Sequence, residues 1–309
     1  MEIKAKKSLG QNFLKSKKAL EEMVRAGNVS KDDIVLEIGP GEGALTEKLL
    51  EIGAKVIAVE KDNRLIELLN EKFSKEIQNN QFTLIHGDIL DIDLKNIIVK
   101  NPEDSPPSDK AGRQNYQKGE TSGFSLKTNP SNTSGQATYK LIANIPYYIT
   151  GLIFRKFLEG AIQPSKLVLM VQKEIADRII ARDGKESILS LSVKAYGKPK
   201  KIMKVDKENF SPKPKVDSAI LLIDDISKDF FLNEDKFASE ETKMQEKNFF
   251  EVLKAGFAHK RKVLISNLKE IAESRGKNLP QIFSSLKIPE KSRAEDLKLE
   301  NWKDLVKLL

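Results

Sequence analysis

The chain has 309 residues, of which 39% are hydrophobic and 32% are charged, a composition typical of a globular protein with a substantial core. No apolar run approaches the roughly 20 residues that a membrane-spanning helix needs, and no apolar segment follows the basic N-terminus, so neither an anchor nor a secretory signal is expected. The absence of cysteine excludes disulfides, thiolate metal sites and a cysteine nucleophile. The formal net charge of +8 favours a polyanionic partner, although a solvated, lysine-rich surface would give the same value.

The first segment combines basic residues with the stretch Gln11-Asn12-Phe13-Leu14. Taken alone, Gln11 and Asn12 are typical of an ordinary turn. Ser16 is a suitable cap for a helix predicted over residues 17–26.

A glycine-rich turn at residues 39–43 is the feature around which the chain is organised. The apolar run 34–38 predicts a buried parallel strand, and residues 44–52 predict a helix. Glycines permit positive φ and close approach of a ligand, and the N–H groups that open a helix bind polar atoms. The pattern is G-x-G-x-G rather than the G-x-G-x-x-G of dinucleotide-binding proteins, and by itself it describes a tight turn equally well.

Acidic residues follow or interrupt the predicted strands near this turn. Glu37 precedes the first glycine, Glu60 ends the strand 55–59, and Asp88 follows the strand 82–85. A carboxylate at the end of the second strand accepts ribose hydroxyls in nucleotide-binding folds. These features fit S-adenosylmethionine at least as well as NAD, whereas Asp88 alone is equally typical of a turn.

Strands and helices alternate from residue 34 to residue 94, which predicts a parallel sheet with right-handed crossovers. Residues 100–138 contain almost no aliphatic side chains and are predicted to be a disordered insertion. The alternation then resumes, with an antiparallel strand expected at the end. We predict further helices at 63–76, 151–159 and 173–182, and further strands at 139–143, 166–171, 188–196, 201–205 and 219–223.

After residue 225 the sequence predicts helices only, which divides the chain into domains 1–225 and 226–309. The predicted helices are 249–269, 270–275, 279–285 and 302–308, the first of them strongly basic around Lys260, Arg261 and Lys262. That basic run is either a solvated helix face or a phosphate-binding patch, and the net charge favours the latter. The two histidines, His86 and His259, are far apart in sequence, so no metal site is expected.

The tetrapeptide Asn144-Ile145-Pro146-Tyr147 follows a predicted strand and therefore lies at the ligand-binding edge of the sheet. The side-chain oxygen of Asn144 and the carbonyl of Ile145 are suited to accept the two N–H bonds of an exocyclic base amine. Pro146 stiffens the loop, and Tyr147 offers a face on which an extruded base stacks. Taken alone, the tetrapeptide also describes a turn with a core aromatic residue.

In their order along the chain, these motifs resemble the small-subunit ribosomal RNA adenine dimethyltransferase family, which is similar to the macrolide-resistance rRNA methyltransferases and to mitochondrial transcription factor B. The resemblance covers nearly the whole chain apart from the insertion at 100–138. The matching stretches are Gln11–Leu14, Glu37–Gly43, Glu60, Gly87-Asp88, Asn144–Tyr147 and Phe210-Ser211-Pro212-Lys213-Pro214-Lys215-Val216-Asp217-Ser218.

The resemblance implies an α/β fold: a seven-stranded Rossmann-like S-adenosylmethionine methyltransferase sheet with a small all-helical C-terminal domain. It implies methyl transfer from S-adenosylmethionine to N6 of two adjacent adenosines near the 3′ end of 16S rRNA. The expected substrate is small-subunit rRNA in a pre-30S particle, and the enzyme is expected to be a cytoplasmic monomer without a metal.

The resemblance also assigns roles to individual residues. Asn12 and Leu14 close over the cofactor, Gly39 and Gly41 hold its methionine part, and Glu60 binds the ribose. Asp88 binds the cofactor's adenine amine, and Asn144 contacts both cofactor and target. The rings of Tyr147 and Phe210 sandwich the target base. Independently of the resemblance, the net charge of +8 favours the basic run 260–262 as a patch that contacts RNA phosphates. The catalytic residues are Asn144, Ile145, Pro146, Tyr147 and Phe210, and the RNA-binding residues are Lys260, Arg261 and Lys262.

Three alternatives remain open from the sequence. The first is a large-subunit rRNA adenine methyltransferase of the resistance type, against which the Phe210-x-Pro-x-Pro segment and the basic C-terminal part argue. The second is a ribosome-assembly or transcription factor with a vestigial methyltransferase site. The third is a nicotinamide oxidoreductase, which would require the G-x-G-x-x-G spacing.

Overall fold

The computed structural model describes residues 4–31, 33–98, 139–232 and 239–309. The predicted insertion at 100–138 lies outside the described residues. The chain forms two compact units, here called the sheet unit (Met1–Lys173 and Lys200–Ile226) and the helical unit (Glu174–Pro199 and Ser227–Leu309). A methyltransferase domain over residues 1–225 and an RNA-binding or ribosome-binding domain over residues 226–309 stay predictions.

Nine strands form within the described ranges, seven of them in one sheet and two in a small separate sheet. The strands are β1 (Phe13–Leu14), β2 (Ile34–Ile38), β3 (Lys55–Glu60), β4 (Phe82–His86), β5 (Lys140–Asn144), β6 (Lys166–Gln172), β7 (Lys198–Val205), β8 (Phe210–Ser211) and β9 (Ser218–Asp224). The order in the large sheet is β4-β3-β2-β5-β6-β9-β7.

Thirteen α-helices accompany the strands in the described parts of the chain, and none is long and apolar enough to cross a membrane. The helices are α1 (Lys17–Ala26), α2 (Ala44–Glu51), α3 (Asn63–Lys72), α4 (Ser74–Gln78), α5 (Lys95–Ile98), α6 (Thr150–Phe154), α7 (Lys173–Ile179), α8 (Ile188–Lys194), α9 (Ser239–Gly256), α10 (Leu264–Asn267), α11 (Lys269–Ser274), α12 (Leu279–Ser285) and α13 (Leu299–Leu308).

The pairing of the large sheet confirms the predicted seven-stranded α/β architecture. Strand β2 pairs in parallel with β3 and β5, β3 pairs in parallel with β4, and β5 pairs in parallel with β6. Strand β9 is antiparallel to β6, as the sequence predicted. Because β4, β3, β2 and β5 are neighbours with the same direction, their carboxyl ends meet at one edge of the sheet.

Burial explains why the central strands form where they do. Every residue of β2 is buried, as expected for a parallel strand covered by helices on both faces. Helix α1 begins at its predicted cap, because the Ser16 hydroxyl accepts a hydrogen bond from the Ala19 N–H at 3.3 Å. Its apolar face, which includes Met23 at 0% exposure, packs into the core of the sheet unit.

The second sheet was not predicted and joins two distant motifs. Strands β1 and β8 are antiparallel, with Phe13 opposite Ser211 and Leu14 opposite Phe210. The Lys15 N–H extends this contact by donating to the Asn209 carbonyl at 2.7 Å. The pairing therefore fixes the N-terminal segment to the chain just before Pro212.

The predicted strand 188–196 is wrong, because residues 188–194 form helix α8. A reciprocal pair of hydrogen bonds starts this helix: the Ser190 N–H donates to Ser187 Oγ at 3.1 Å, and the Ser187 N–H donates to Ser190 Oγ at 2.6 Å. Such a capping box satisfies N–H groups that would otherwise lack partners, and it outweighs the strand-like alternation of the sequence.

The predicted helices 63–76 and 249–269 also have the wrong bounds, since the first is two helices, α3 and α4, and the second begins at Ser239. The first is interrupted at Phe73, whose ring packs edge-on against Phe82 at a centroid distance of 5.1 Å. The second ends at Gly256, where a Cβ would lie 2.3 Å from Cη2 of Trp302. The basic run 260–262 consequently lies in a turn rather than on a helix face.

Candidate active site

A cavity of about 360 Å³ lies at the carboxyl edge of the parallel strands, within the sheet unit. Its walls come from the segments that follow β2, β3, β4 and β5, and from the N-terminal segment. The predicted site residues that line it are Asn12, Leu14, Gly39, Gly41, Glu60, Asp88, Asn144, Ile145, Pro146 and Tyr147.

The glycine turn requires glycine for two separate reasons. Gly39 and Gly41 have φ of +63° and +60°, a conformation that other residues adopt only with strain. A Cβ at Gly39 would meet no protein atom within 4 Å, so this backbone faces open space, whereas a Cβ at Gly41 would approach the Phe13 ring to 3.0 Å. The turn is thus open at Gly39 and closely packed against Phe13 at Gly41.

Glu60 is held in a fixed orientation at the end of β3. Its side chain is 5% exposed, and its two oxygens accept hydrogen bonds from the backbone N–H groups of Asp62 at 2.7 Å and Gly41 at 3.3 Å. Burial raises the pKa of Glu60, while these backbone hydrogen bonds oppose that rise. Each carboxylate oxygen retains further capacity to accept hydrogen bonds from hydroxyl groups.

Glu37 is a second buried carboxyl group beside the cavity. It is 1% exposed and accepts a hydrogen bond from the Thr46 hydroxyl at 2.6 Å. Burial raises the pKa of Glu37 to about 8, because the hydrogen bond from Thr46 compensates only partly for lost hydration. Burial therefore favours the protonated form of Glu37, which limits repulsion between it and Glu60.

Asp88 lies in the loop after β4 and is paired with Lys61 at 2.7 Å. Partial burial opposes its ionisation, but hydrogen bonds from Lys61 and from the Leu90 N–H outweigh burial and hold the pKa of Asp88 below its ordinary value. Lys156 stabilises the same loop, because its ammonium donates to the carbonyls of Leu90 at 3.2 Å and Ile92 at 2.7 Å.

Asn144 ends β5 and is joined to the N-terminal segment. Its side-chain Nδ2 donates to the backbone carbonyl of Asn12 at 3.0 Å. This contact fixes the amide plane and leaves the side-chain oxygen of Asn144 as an acceptor. Asn12 in turn donates from its own Nδ2 to the Gly10 carbonyl at 3.1 Å.

Tyr147 and Phe210 occupy different surroundings. Tyr147 is partly buried, lines the cavity and shares a 2.6 Å hydrogen bond with the Ser218 hydroxyl. Phe210 is 5% exposed, belongs to the core cluster and is not among the described residues that line the cavity. The predicted stacking of a base on Phe210 stays a prediction and requires displacement of that ring.

A hydrogen-bonded cluster around Asp62 was missed by the sequence analysis. Its carboxylate is fully buried and accepts from Arg64 at 2.6 Å, Gln11 at 3.0 Å and Lys6 at 3.3 Å. These donors, with Arg64 the largest contributor, hold the pKa of Asp62 well below its usual range. The only sequence signal was that Asp62 stands at the start of helix α3, where Asp is a favoured cap.

The predicted RNA-binding residues Lys260, Arg261 and Lys262 lie together in the helical unit and are all exposed. Asn267 orders the backbone before them, because its Nδ2 donates to the carbonyls of Gly256 at 2.6 Å and His259 at 3.1 Å. The three cationic side chains therefore follow directly on a segment of backbone that hydrogen bonds hold in place.

The arrangement in the sheet unit is suited to holding a nucleoside-type cofactor next to an amine. The backbone of the glycine turn, the carboxylate of Glu60 and the side-chain amide of Asn144 lie around one cavity. Within the described ranges, no group of three or more acidic or histidine side chains is arranged to hold a metal ion.

The sheet unit has the Rossmann-like fold found in methyltransferases. Two solved structures share this fold over nearly the whole chain. A dimethyladenosine transferase from Plasmodium falciparum matches with a TM-score of 0.67, 23% identity and 95% of each chain covered. The 23S rRNA methyltransferase ErmE matches with a TM-score of 0.66 and 21% identity, covering 96% of this chain and 99% of its own.

The family is shown by sequence. The model of the family described as ribosomal RNA adenine dimethylase matches residues 2–309, so the chain belongs to this family, as the sequence resemblance predicted. Ribosomal RNA small subunit methyltransferase A of Dehalococcoides mccartyi (strain CBDB1) is 38% identical over 98% of this chain and 88% of its own length. The protein of the same name from Fusobacterium nucleatum is 34% identical over 100% of this chain and 98% of its own length.

Membership of this family makes the protein a methyltransferase. It also excludes the nicotinamide oxidoreductase, because the model of a methyltransferase family matches residues 2–309.

Proposed function

We propose that the protein transfers methyl groups from S-adenosylmethionine to N6 of two adjacent adenosines near the 3′ end of small-subunit rRNA, in a pre-30S particle. The observation that carries this proposal is that Asn144–Tyr147, the glycine turn, Glu60 and Asp88 all line one cavity. The names of two relatives that align with almost the full chain support the small subunit over the large one.

The residues around the cavity fit the proposed cofactor. Glu60 is the acceptor for the ribose hydroxyls, since its carboxylate is fixed by two backbone N–H groups. Asp88 is the acceptor for the cofactor's adenine amine, and Gly39 and Gly41 let the methionine part lie against the backbone. Asn12 and Leu14 close the wall. When bound, the cofactor supplies an electrophilic methyl group.

Asn144 and Ile145 prepare the target amine for transfer. An exocyclic base amine is a weak nucleophile because its lone pair is delocalised into the ring. The oxygen of Asn144 and the carbonyl of Ile145 accept its two N–H bonds, which favours a pyramidal nitrogen and stabilises the positive charge that develops on it. The hydrogen bond from Asn144 to the Asn12 carbonyl supports this role, because it fixes the amide before the base arrives.

Tyr147 captures the extruded base by stacking, and Pro146 restricts the loop between the amide and the ring. The hydrogen bond between Tyr147 and Ser218 supports a fixed ring orientation. The basic turn Lys260-Arg261-Lys262 contacts RNA phosphates, and the enzyme works as a cytoplasmic monomer that uses no metal.

Methyl transfer from labelled cofactor to purified immature 30S particles tests the proposal, followed by mass-spectrometric mapping of the modified adenosines. The expected result is dimethylation of two adjacent adenosines near the 3′ end of the rRNA. Immature 50S particles serve as the control substrate.

Two results would overturn the proposal in different ways. Methylation of the 50S particle in place of the 30S particle would identify an enzyme of the resistance type. Tight 30S binding without any transfer would identify an assembly factor whose methyltransferase site is vestigial.

A further inference from the structure

Six large apolar side chains are exposed among the described residues, and two of them lie at the cavity. Tyr148 is 64% exposed and Leu152 is 49% exposed, and both line the cavity. They are four residues apart on the helical segment that follows the catalytic loop, so they lie on the same side of it. The remaining four are Ile52, Ile188, Met244 and Leu308.

The Tyr148 ring is held in place although it is exposed. A Cβ at Gly10 would lie 3.1 Å from Cε1 and 3.2 Å from Cδ1 of Tyr148, so this edge of the ring packs directly on the Gly10 backbone. Gly10 has φ of +62°, which disfavours any other residue there. The turn beneath the ring is fixed too, because the Thr150 hydroxyl donates to the Tyr147 carbonyl at 2.9 Å.

An exposed, preoriented ring binds a planar partner without losing much conformational entropy. Nucleobases are planar and stack on aromatic side chains irrespective of sequence. The ring lies at the same cavity as Asn144 and Tyr147, the residues proposed to hold the target base, so a nucleobase fits this exposed face better than an apolar helix of another protein does.

The connectivity of RNA places a base at this position. A target adenosine that enters the cavity stays joined by phosphodiester bonds to its two neighbours, which must remain at the mouth. Extrusion of the target also takes away a stacking partner from these neighbours, at a cost that an aromatic surface offsets.

We propose that Tyr148, with Leu152 beside it, is a binding site for the nucleobase adjacent to the target adenosine. Tyr147 then stacks on the base that reacts, and Tyr148 stacks on the base next to it. This inference rests on the proposed function, because it assumes that an RNA base enters the cavity.

The test compares Tyr148→Ala and Tyr148→Phe with the parental protein, in single-turnover methylation of immature 30S particles at saturating cofactor. Tyr148→Ala is expected to raise the particle concentration for half-maximal rate by roughly tenfold or more, since loss of one base–aromatic stack has about this effect. Tyr148→Phe keeps the ring and is expected to lie within about twofold of the parental value. Ile52→Ala, at an apolar residue that is 40% exposed on the same unit, is the matched control.

Two further measurements separate stacking from other roles. Cofactor affinity by calorimetry is expected to be unchanged in both Tyr148 variants, so a weaker cofactor would assign Tyr148 to the cofactor site and overturn the inference. Sedimentation is expected to give the same oligomeric state for all variants. A change confined to Tyr148→Ala would make the patch a contact between copies of the chain and overturn it as well.

Binding of oligoadenylate, a single-stranded RNA, makes the test independent of methylation. Tyr148→Ala is expected to bind it more weakly than Ile52→Ala does, and equal affinities would overturn the inference. If the parental protein methylates no 30S particle, the proposed function is wrong. The oligoadenylate affinities of Tyr148→Ala and Ile52→Ala still test whether Tyr148 binds a nucleobase. Failure of the parental protein to bind oligoadenylate would also overturn the assignment of Tyr148 as a stacking site, since stacking needs no particular sequence.

Discussion

The side-chain amide of Gln11 donates a hydrogen bond to the buried carboxylate of Asp62 at 3.0 Å, across 51 positions of sequence. Gln11 also accepts from the backbone N–H of Lys6 at 2.7 Å, so this one side chain closes a loop in the N-terminal segment and attaches it beside β3. The carbonyl that orients Asn144 belongs to the next residue, Asn12. The Gln11–Asp62 hydrogen bond is therefore made by the residue next to the one that orients the Asn144 side chain.

We expect Gln11→Ala to weaken cofactor binding several-fold, because the wall that carries Asn12 is released from Asp62. A hydrogen bond to a charged group contributes about 1.5–3 kcal/mol, which bounds the effect. Gln81→Ala is the matched control, since Gln81 donates to the carbonyls of Leu50 and Ala54 away from the cavity. Calorimetry and thermal unfolding should show a stability loss in both variants and an affinity loss only in the first. Equal affinities would make the Gln11 contact purely structural.

Glu60→Ala should weaken cofactor binding at least tenfold, because it removes a carboxyl acceptor held by two backbone N–H groups. Glu60→Gln keeps the shape with a single oxygen and should lose less. Calorimetry measures both, and an affinity equal to the parental value would show that β3 does not end at the ribose.

Asn144→Ala should slow single-turnover methylation by roughly 10²–10³, the usual effect of losing one preorganised polar contact to developing charge. Tyr147→Ala should lower the rate through poorer base capture, whereas Tyr147→Phe should keep much of it. Ser218→Ala removes the same hydrogen bond from the other side, so it should match Tyr147→Phe, and the double variant should add little. A parental rate for Asn144→Ala would exclude the assigned site.

The stability of the protein should depend on pH through Glu37. Its pKa is raised from 4.5 to about 8 in the folded state, so the folded chain binds more protons than the unfolded chain between these values. The contribution of Glu37 to the free energy of unfolding therefore falls as pH rises from about 4.5 to about 8, with a limiting slope of roughly 1.4 kcal/mol per pH unit. Glu37→Gln, which mimics the protonated form, should flatten the pH profile in denaturant titrations, and Glu47→Gln at an exposed site should not. Parallel profiles for the parental protein and Glu37→Gln would contradict this.

Replacing Lys260, Arg261 and Lys262 together by Gln should weaken binding to 30S particles and reduce its salt dependence, because three phosphate contacts are lost. Cofactor affinity should stay the same. Replacing Lys277, Lys287 and Lys291 gives a control of equal charge, since these lysines are exposed in the same unit. Identical salt slopes for the two triple variants would make the basic turn a solvated surface.

The parts of the fold that the sequence predicted are those specified by local pattern. Continuous apolar runs defined β2 and β6, and glycine spacing placed the turn at the cavity. The strand prediction for residues 188–196 was wrong because their apolar spacing suits a strand and a buried helix equally well. The capping box formed by Ser187 and Ser190 favours the helix. In the site, Asp62 was missed because its donors Lys6 and Gln11 are more than 50 residues away, and no local pattern encodes such contacts.

The pairing of β1 with β8 has a consequence for synthesis at the ribosome. A chain emerging from its N-terminus holds Asn12, the glycine turn and Glu60 long before Phe210 and Ser211 exist, yet Leu14 has its strand partner only in that late segment. The strand β9, which separates β6 from β7, is later still. The cavity wall that contains Leu14 therefore lacks its strand partner until about two thirds of the chain has been made, and the large sheet lacks β9 until nearly three quarters has been made.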